Sequence, residues 1–171
     1  MSQKNQFSIL KPEEITENTF KLIGKDWMLI TAGTYDKFNM MTASWGGLGV
    51  LWSKNVCFCF IRPQRYTYDF VEKSDTFTLS FFGNEYREAL NICGTKSGRE
   101  IDKVQATGLT PFEDLPGMIS FREASLIVEC KKIYYQDIKP ENFLQPDIQE
   151  FYKLKDYHRM YIGEIIRCLK R

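Results

Sequence analysis

WMLITAGTYDKFNMMTASWG, residues 27–46, holds two extended runs on either side of a short break. WMLITAGT (27–34) is apolar, carries Ile and Thr, and closes on Gly33, as a buried strand does. YDKFN (35–39) has the composition of a turn, and MTASWG (41–46) resumes an extended course. A break this short cannot hold the crossover helix that parallel neighbours need, so the two runs are expected to be antiparallel.

The same pattern continues downstream. NVCFCFI (55–61) is a third strand, stopped by Pro63. DTFTLSFF (75–82) alternates Phe77, Leu79 and Phe81 with Thr76, Thr78 and Ser80, the period of a half-buried strand. Residues 125–138 form a long β-rich run, and 157–169 close the chain as a strand with Gly163 suited to a bulge. Two or three short helices are expected. One covers 66–73, with Phe70 and Val71 inward. Another covers 84–94, from an N-cap at Asn84 to a stop at Gly94. A third opens at Ser97, which stands at capping-box spacing from Glu100. Residues 107–117 and 139–146 read as loops, and KPEEITENT (11–19) as the polar part of a lead-in over 1–19. About six strands separated mainly by turns make an antiparallel barrel a better reading than a doubly wound sheet. Neither GxGxxG nor GxxxxGK[ST] occurs, so neither phosphate-binding loop is expected.

Composition narrows the functional classes. With 171 residues, 43% apolar and 26% charged, the chain is expected to be one globular domain over 1–171. The net charge of +1 supplies no overall field for nucleic acid or an anionic membrane, so any anion site must be local. No apolar run is long enough to span a bilayer as a helix. Met1 to Gln6 is polar and no apolar stretch follows, so no secretory signal is expected. The five cysteines, Cys57, Cys59, Cys93, Cys130 and Cys168, show no CxxC spacing, and one histidine, His158, completes no zinc set. Buried thiols in a reducing cytoplasm, with no metal, are the expectation.

Three segments can carry chemistry. In NMMTASWGGLG (39–49), Asn39 precedes an uncharged run in which Thr42 and Ser44 share one face of an extended segment, and Ala43 and Trp45 the other. Its hydroxyls and backbone groups suit the edge of a heteroaromatic ring, and the same string also suits an ordinary edge strand. In RPQRYT (62–67), Arg62 and Arg65 follow a strand, and Tyr66 and Thr67 begin a helix. Guanidinium forks and a helix start suit a phosphate; two solvated arginines are the alternative. In KSGREIDK (96–103), Ser97 and Gly98 precede Arg99 and Lys103, one turn apart, which suits a second anion site or a capped surface helix.

In this order the segments resemble the flavin reductase-like family, which includes flavoredoxin-type proteins. The resemblance rests on N-x-M-T-A-S-W, R-x-x-R-Y-T, F-T-L-S-F, C-G-x-x-S-G-R-x-x-D-K and H-x-x-Y-I-G-E-I, spread from about Trp27 to Ile166. It implies a split barrel, a six-stranded antiparallel Greek-key barrel with a few short helices, binding FMN without a covalent bond. It further implies a homodimer with FMN near the interface. Asn39, Thr42, Ala43, Ser44 and Trp45 would then line the isoalloxazine and ribityl. Arg62, Arg65, Tyr66 and Thr67 would sit by the phosphate. Ser97, Gly98, Arg99 and Lys103 would complete the surroundings. The implied activity is reduction of flavin or a metal complex with NAD(P)H as donor. An electron carrier fed by a partner protein, or a flavin-binding module without turnover, are the alternatives. No side chain need be a catalytic acid or base, because the chemistry is the cofactor's. His158 is a candidate proton donor or a structural histidine.

Overall fold

The computed structural model describes residues 7–171. Its strands are β1 (Ser8–Leu10), β2 (Met28–Thr34), β3 (Lys37–Ala43), β4 (Gly46–Leu51), β5 (Lys54–Ile61), β6 (Thr76–Phe81), β7 (Pro111–Glu113), β8 (Ile119–Phe121), β9 (Leu126–Asp137) and β10 (Arg159–Lys170). Four short helices interrupt them: α1 (Thr19–Lys21), continued by a π turn over Leu22–Asp26, α2 (Tyr66–Lys73), α3 (Arg87–Thr95) and α4 (Lys103–Thr107). Among the described residues no helix is long and apolar enough to cross a membrane.

Eight strands form one antiparallel sheet, seven of them in the order β3-β2-β6-β9-β10-β5-β4 and β1 beside β10. β1 takes the end of the β10 edge that β5 leaves free, pairing with Cys168 to Lys170. β7 and β8 make a separate ribbon. The β10–β9 register slips between Ile162 and Gly163 and again between Ile165 and Arg167. The first slip is the bulge expected at Gly163. Bulges bend a strand, which lets the sheet curl around a core.

Period two sorts the side chains between two cores. Met28, Ile30 and Ala32 of β2 point inward with Met41, Cys57, Cys59, Ile61, Phe77, Phe81, Cys130 and Tyr161. Leu29, between them, points outward and packs with Met40, Leu90, Cys93, Phe121 and Ile127. Helix α3 therefore lies on the outer face of β2 and β3. Its residue Gly94 is inside the helix and is not the stop expected there, because the backbone packs against Thr42: an added Cβ would lie 3.3 Å from Thr42 Cβ.

All six expected strands are present, as β2, β3, β5, β6, β9 and β10, and four more join them. β3 begins at Lys37, so the turn is tighter than YDKFN suggests. Part of the lead-in also has structure: β1, a 3-10 turn (Pro12–Glu14) and the start of α1 fall there, while residues 1–6 lie outside the described residues. β6 is not half-buried. The β7–β8 ribbon covers its second face, and Thr78 Oγ1 donates to Ile119 O at 2.5 Å. The helix expected from Asn84 is a 3-10 turn (Asn84–Tyr86) leading into α3. No helix opens at Ser97. Its Oγ accepts from Arg99 N–H at 3.2 Å in a turn, and α4 starts only after Asp102, whose carboxylate accepts from Gln105 N–H at 3.0 Å. A carboxylate cap five residues further along, directly before the helix, displaces the serine.

Candidate functional site

The two ends of the sheet path, β3 and β4, are joined by only Ser44 and Trp45. The sheet closes at this link without a ladder, and a pair of cavities opens beside it. Thr42 and Ser44 do not continue one strand face, because β3 ends at Ala43. Thr42 Oγ1 donates to Leu90 O at 2.6 Å, which fixes β3 to α3.

The first cavity, of about 180 Å3, is lined by Met41, Thr42, Ala43, Ser44, Trp45, Phe60, Arg62, Arg65 and His158. Apart from the two arginines at one end, its walls are uncharged. The indole of Trp45 is tilted against the His158 ring, with centroids 5.1 Å apart, and meets Phe151 edge-on at 5.5 Å. His158 is buried, and its Nδ1 lies 2.9 Å from the Tyr152 hydroxyl. Burial, reinforced by the nearby Arg62 charge, pushes its pKa down to about 4. It is therefore a neutral ring at neutral pH.

The second cavity, of about 540 Å3, shares Met41, Arg62 and Arg65 with the first. Asn39, Tyr66, Thr67, Lys96, Ser97, Gly98, Lys103 and Asp156 are among its walls. The start of α2 contributes here, and the first N–H groups of a helix lack intrahelical partners. Asn39 Nδ2 donates to Thr67 Oγ1 at 2.8 Å, so β3 and α2 are locked together with both side chains buried. Gly98 is pressed against this pair, and a Cβ there would overlap Asn39 Oδ1. Only glycine lets the 96–102 turn come this close.

The cationic groups are not equivalent. Arg65 Nη1 donates to Gly94 O at 2.9 Å, and no carboxylate pairs with it among the described residues. Arg62 pairs with Asp156 at 2.5 Å and donates to Phe151 O at 2.9 Å. Burial works against the charge on Asp156, but its bonds from Arg62 and Gln64 outweigh that and hold the carboxyl below its ordinary range. Lys103 is buried, with Nζ donating to Met40 O (2.7 Å) and Cys93 O (2.9 Å). Burial lowers its pKa. Arg99 does not line either cavity. It pairs with Asp69 at 2.7 Å and lies over the outer face of the Tyr66 ring, 4.5 Å from its centroid.

The other residues expected at a site thus come together, although they span more than a hundred positions of chain. Asp156, Gln64 and Phe60 line the cavities and carry no sequence signal: an acidic residue at an anion-binding cavity is legible only once Arg62 is seen to neutralise it. Among the described residues no group of three or more His, Cys, Asp or Glu is placed to hold a metal.

The architecture is that of a split barrel. A family model described as "Flavin reductase like domain" matches residues 20–170, and the chain belongs to that family. Solved structures with the same fold include flavoredoxin from Desulfovibrio vulgaris (22% identity, 95% of this chain and 77% of that one, TM-score 0.66) and flavoredoxin from Methanosarcina acetivorans (18%, 85% and 68%, 0.65). A third is the NADH:FAD oxidoreductase of Streptomyces globisporus (14%, 85% and 75%, 0.63). No curated protein matches the chain.

Proposed function

We propose that the protein binds FMN non-covalently across the two joined cavities and serves as an NAD(P)H-dependent oxidoreductase. The observation that carries this reading is the polarity of the pair: a cavity at the Ser44–Trp45 link, uncharged apart from the Arg62 and Arg65 it shares with its neighbour, continues into one at the start of a helix where Arg62, Arg65, Lys96 and Lys103 outnumber Glu100 and Asp156. A flat uncharged ring system with a phosphate tail matches that division, and the close approach of Gly98 to Asn39 brings the 96–102 turn up to the cavity that would take the tail. Proteins of the same fold described as FMN-binding are consistent with it.

Residues 42–45 would present backbone N–H groups to the polar edge of the ring, and Trp45 and His158 would wall its side. Arg65, Thr67, Ser97 and the first N–H groups of α2 would hold the phosphate. Asn39 and Lys103 would act one layer behind, fixing the turn and the strand that carry these groups. When bound, the flavin supplies two-electron acceptance from a nicotinamide and onward transfer. The chain's part is to hold and orient it and to keep a neutral imidazole beside it. β4 has a free edge flanked by Val50 and Trp52, which are 73% and 57% exposed, and this suits a second copy of the chain.

The test begins with an absorbance spectrum of the purified protein, FMN titration, and addition of NADH and NADPH without air. Flavin bands that bleach with a nucleotide support the reductase. Bands that persist with both leave an electron carrier, and absence of flavin uptake removes the reading. Arg65→Ala is expected to weaken FMN roughly ten- to a hundredfold by titration, the effect of one charged hydrogen bond.

A further inference from the structure

Residues 139–157 run outside the sheet between β9 and β10, with two 3-10 turns (Pro140–Asn142 and Pro146–Tyr152) and no strand. Their base is closed, because Ile138 N–H donates to His158 O at 3.0 Å. Within the segment Tyr152 packs on Phe143 and Tyr157, with centroids 5.9 and 4.8 Å apart. The result is a strap with its own small aromatic cluster.

The strap's polar contacts with the barrel gather at Arg62. One side of the guanidinium meets Asp156 Oδ2 at 2.5 Å, the other donates to Phe151 O at 2.9 Å, and the group lies 5.1 Å over the Tyr152 ring. Gln64 Nε2 reaches the same Asp156 oxygen at 2.5 Å. Lys155, next to Asp156, sits at φ 55, a left-handed conformation that a lysine keeps only when its surroundings impose it. The strap in turn braces the ring-end cavity, Phe151 against Trp45 and Tyr152 against His158.

The two arginines of RPQRYT therefore have divided tasks. A phosphate approaching Arg62 meets a guanidinium already neutralised by a carboxylate, whereas Arg65 has no such partner among the described residues. We infer that Arg62 is a positioning residue, a latch that pins the 139–157 strap against the barrel through Asp156 and Phe151, and that the phosphate-binding arginine is Arg65 alone. The second half of this inference rests on the flavin reading above; the first does not.

Two measurements test it. Lys153 and Lys155 are exposed, so trypsin reports strap opening on the protein as purified. In Asp156→Asn, cleavage at these two sites is expected to be roughly ten- to a hundredfold faster, with the urea midpoint of global unfolding little changed. Arg62→Lys, which keeps one charged bond, gives a smaller acceleration. Unchanged cleavage in both variants overturns the latch. The second measurement compares FMN with riboflavin, which lacks the phosphate. Arg65→Ala lowers the FMN-over-riboflavin affinity ratio, while Arg62→Ala leaves it as in the wild type, and Asp156→Asn, which frees Arg62 and removes a negative charge from the cavity wall, holds or raises it. A ratio that collapses in Arg62→Ala, or that falls in Asp156→Asn, overturns the division of tasks. If Arg62→Ala does not fold, Asp156→Asn carries both measurements. A wild-type protein that takes neither FMN nor riboflavin refutes the flavin reading and with it the phosphate role of Arg65, and the proteolysis still decides the latch.

Discussion

His158 lies just before β10 with Arg62 and Arg65 near it, Asp156 partly offsetting their charge, and Tyr152 on its Nδ1. A ring held at a pKa of about 4, against an ordinary 6.5, makes stability depend on pH in a defined direction. As pH falls, the unfolded chain takes up the proton first, so stability present above about 6.5 is lost progressively toward 4. Between pH 7 and 5.5 the loss is about 1 kcal/mol. The chain has one histidine, so His158→Gln should flatten this part of a urea-unfolding series recorded against pH. Asp137, held low by its bonds from Arg159, and Asp156 titrate below that window. The neutral ring also changes what His158 offers the site: a weak base or a neutral hydrogen-bonding group in place of a cation.

Among the elements, the strands with alternating or β-branched residues were legible, and those made by pairing alone were not. β4 reads GGLGVL, with three glycines in six residues, and exists because β5 offers it a complete ladder from Gly46↔Cys59 to Leu51↔Lys54. Local propensity carries no trace of such a partner. The 97–103 stretch failed differently: two capping signals compete, Ser97 and Asp102, and the helix forms at Asp102, where Lys103 is also anchored to Met40 O of β3. The clustering of the three chemistry-bearing segments was expected from the family resemblance that their order carries and not from any one of them alone, and the division between Arg62 and Arg65 was not legible, since it depends on Asp156, more than ninety residues away. The Gly163 bulge was readable and has a further cause. An added Cβ would lie 2.6 Å from Phe77 Cζ and 2.8 Å from Cys130 Cβ. Gly163→Ala is expected to destabilise by about 1–3 kcal/mol through overpacking, measured as a lowered urea midpoint with unchanged slope.

At the scale of the whole molecule, one buried ion pair ties the last strand to the barrel. Glu129 of β9 has no exposed surface and accepts from Arg167 of β10 at 2.6 and 2.9 Å, and Asp114 adds a third contact at 2.9 Å. Removing the cation leaves a carboxylate in the interior, so Arg167→Ala should cost about 3–5 kcal/mol in chemical denaturation. The fixed parts of the molecule are thus the barrel, its ion pair and the two-residue link at Ser44–Trp45, where an insertion would rebuild the wall of the first cavity. The strap is different in kind. Because Ile138 and His158 are already bonded across its base, its ends do not move when its contents change. Doubling the length of such a closed loop adds only about 0.6 kcal/mol of closure entropy. A chain built this way can acquire a new wall beside its ring cavity by exchange of a single contiguous segment, inherited or grafted as one piece, while the barrel sequence stays as it is.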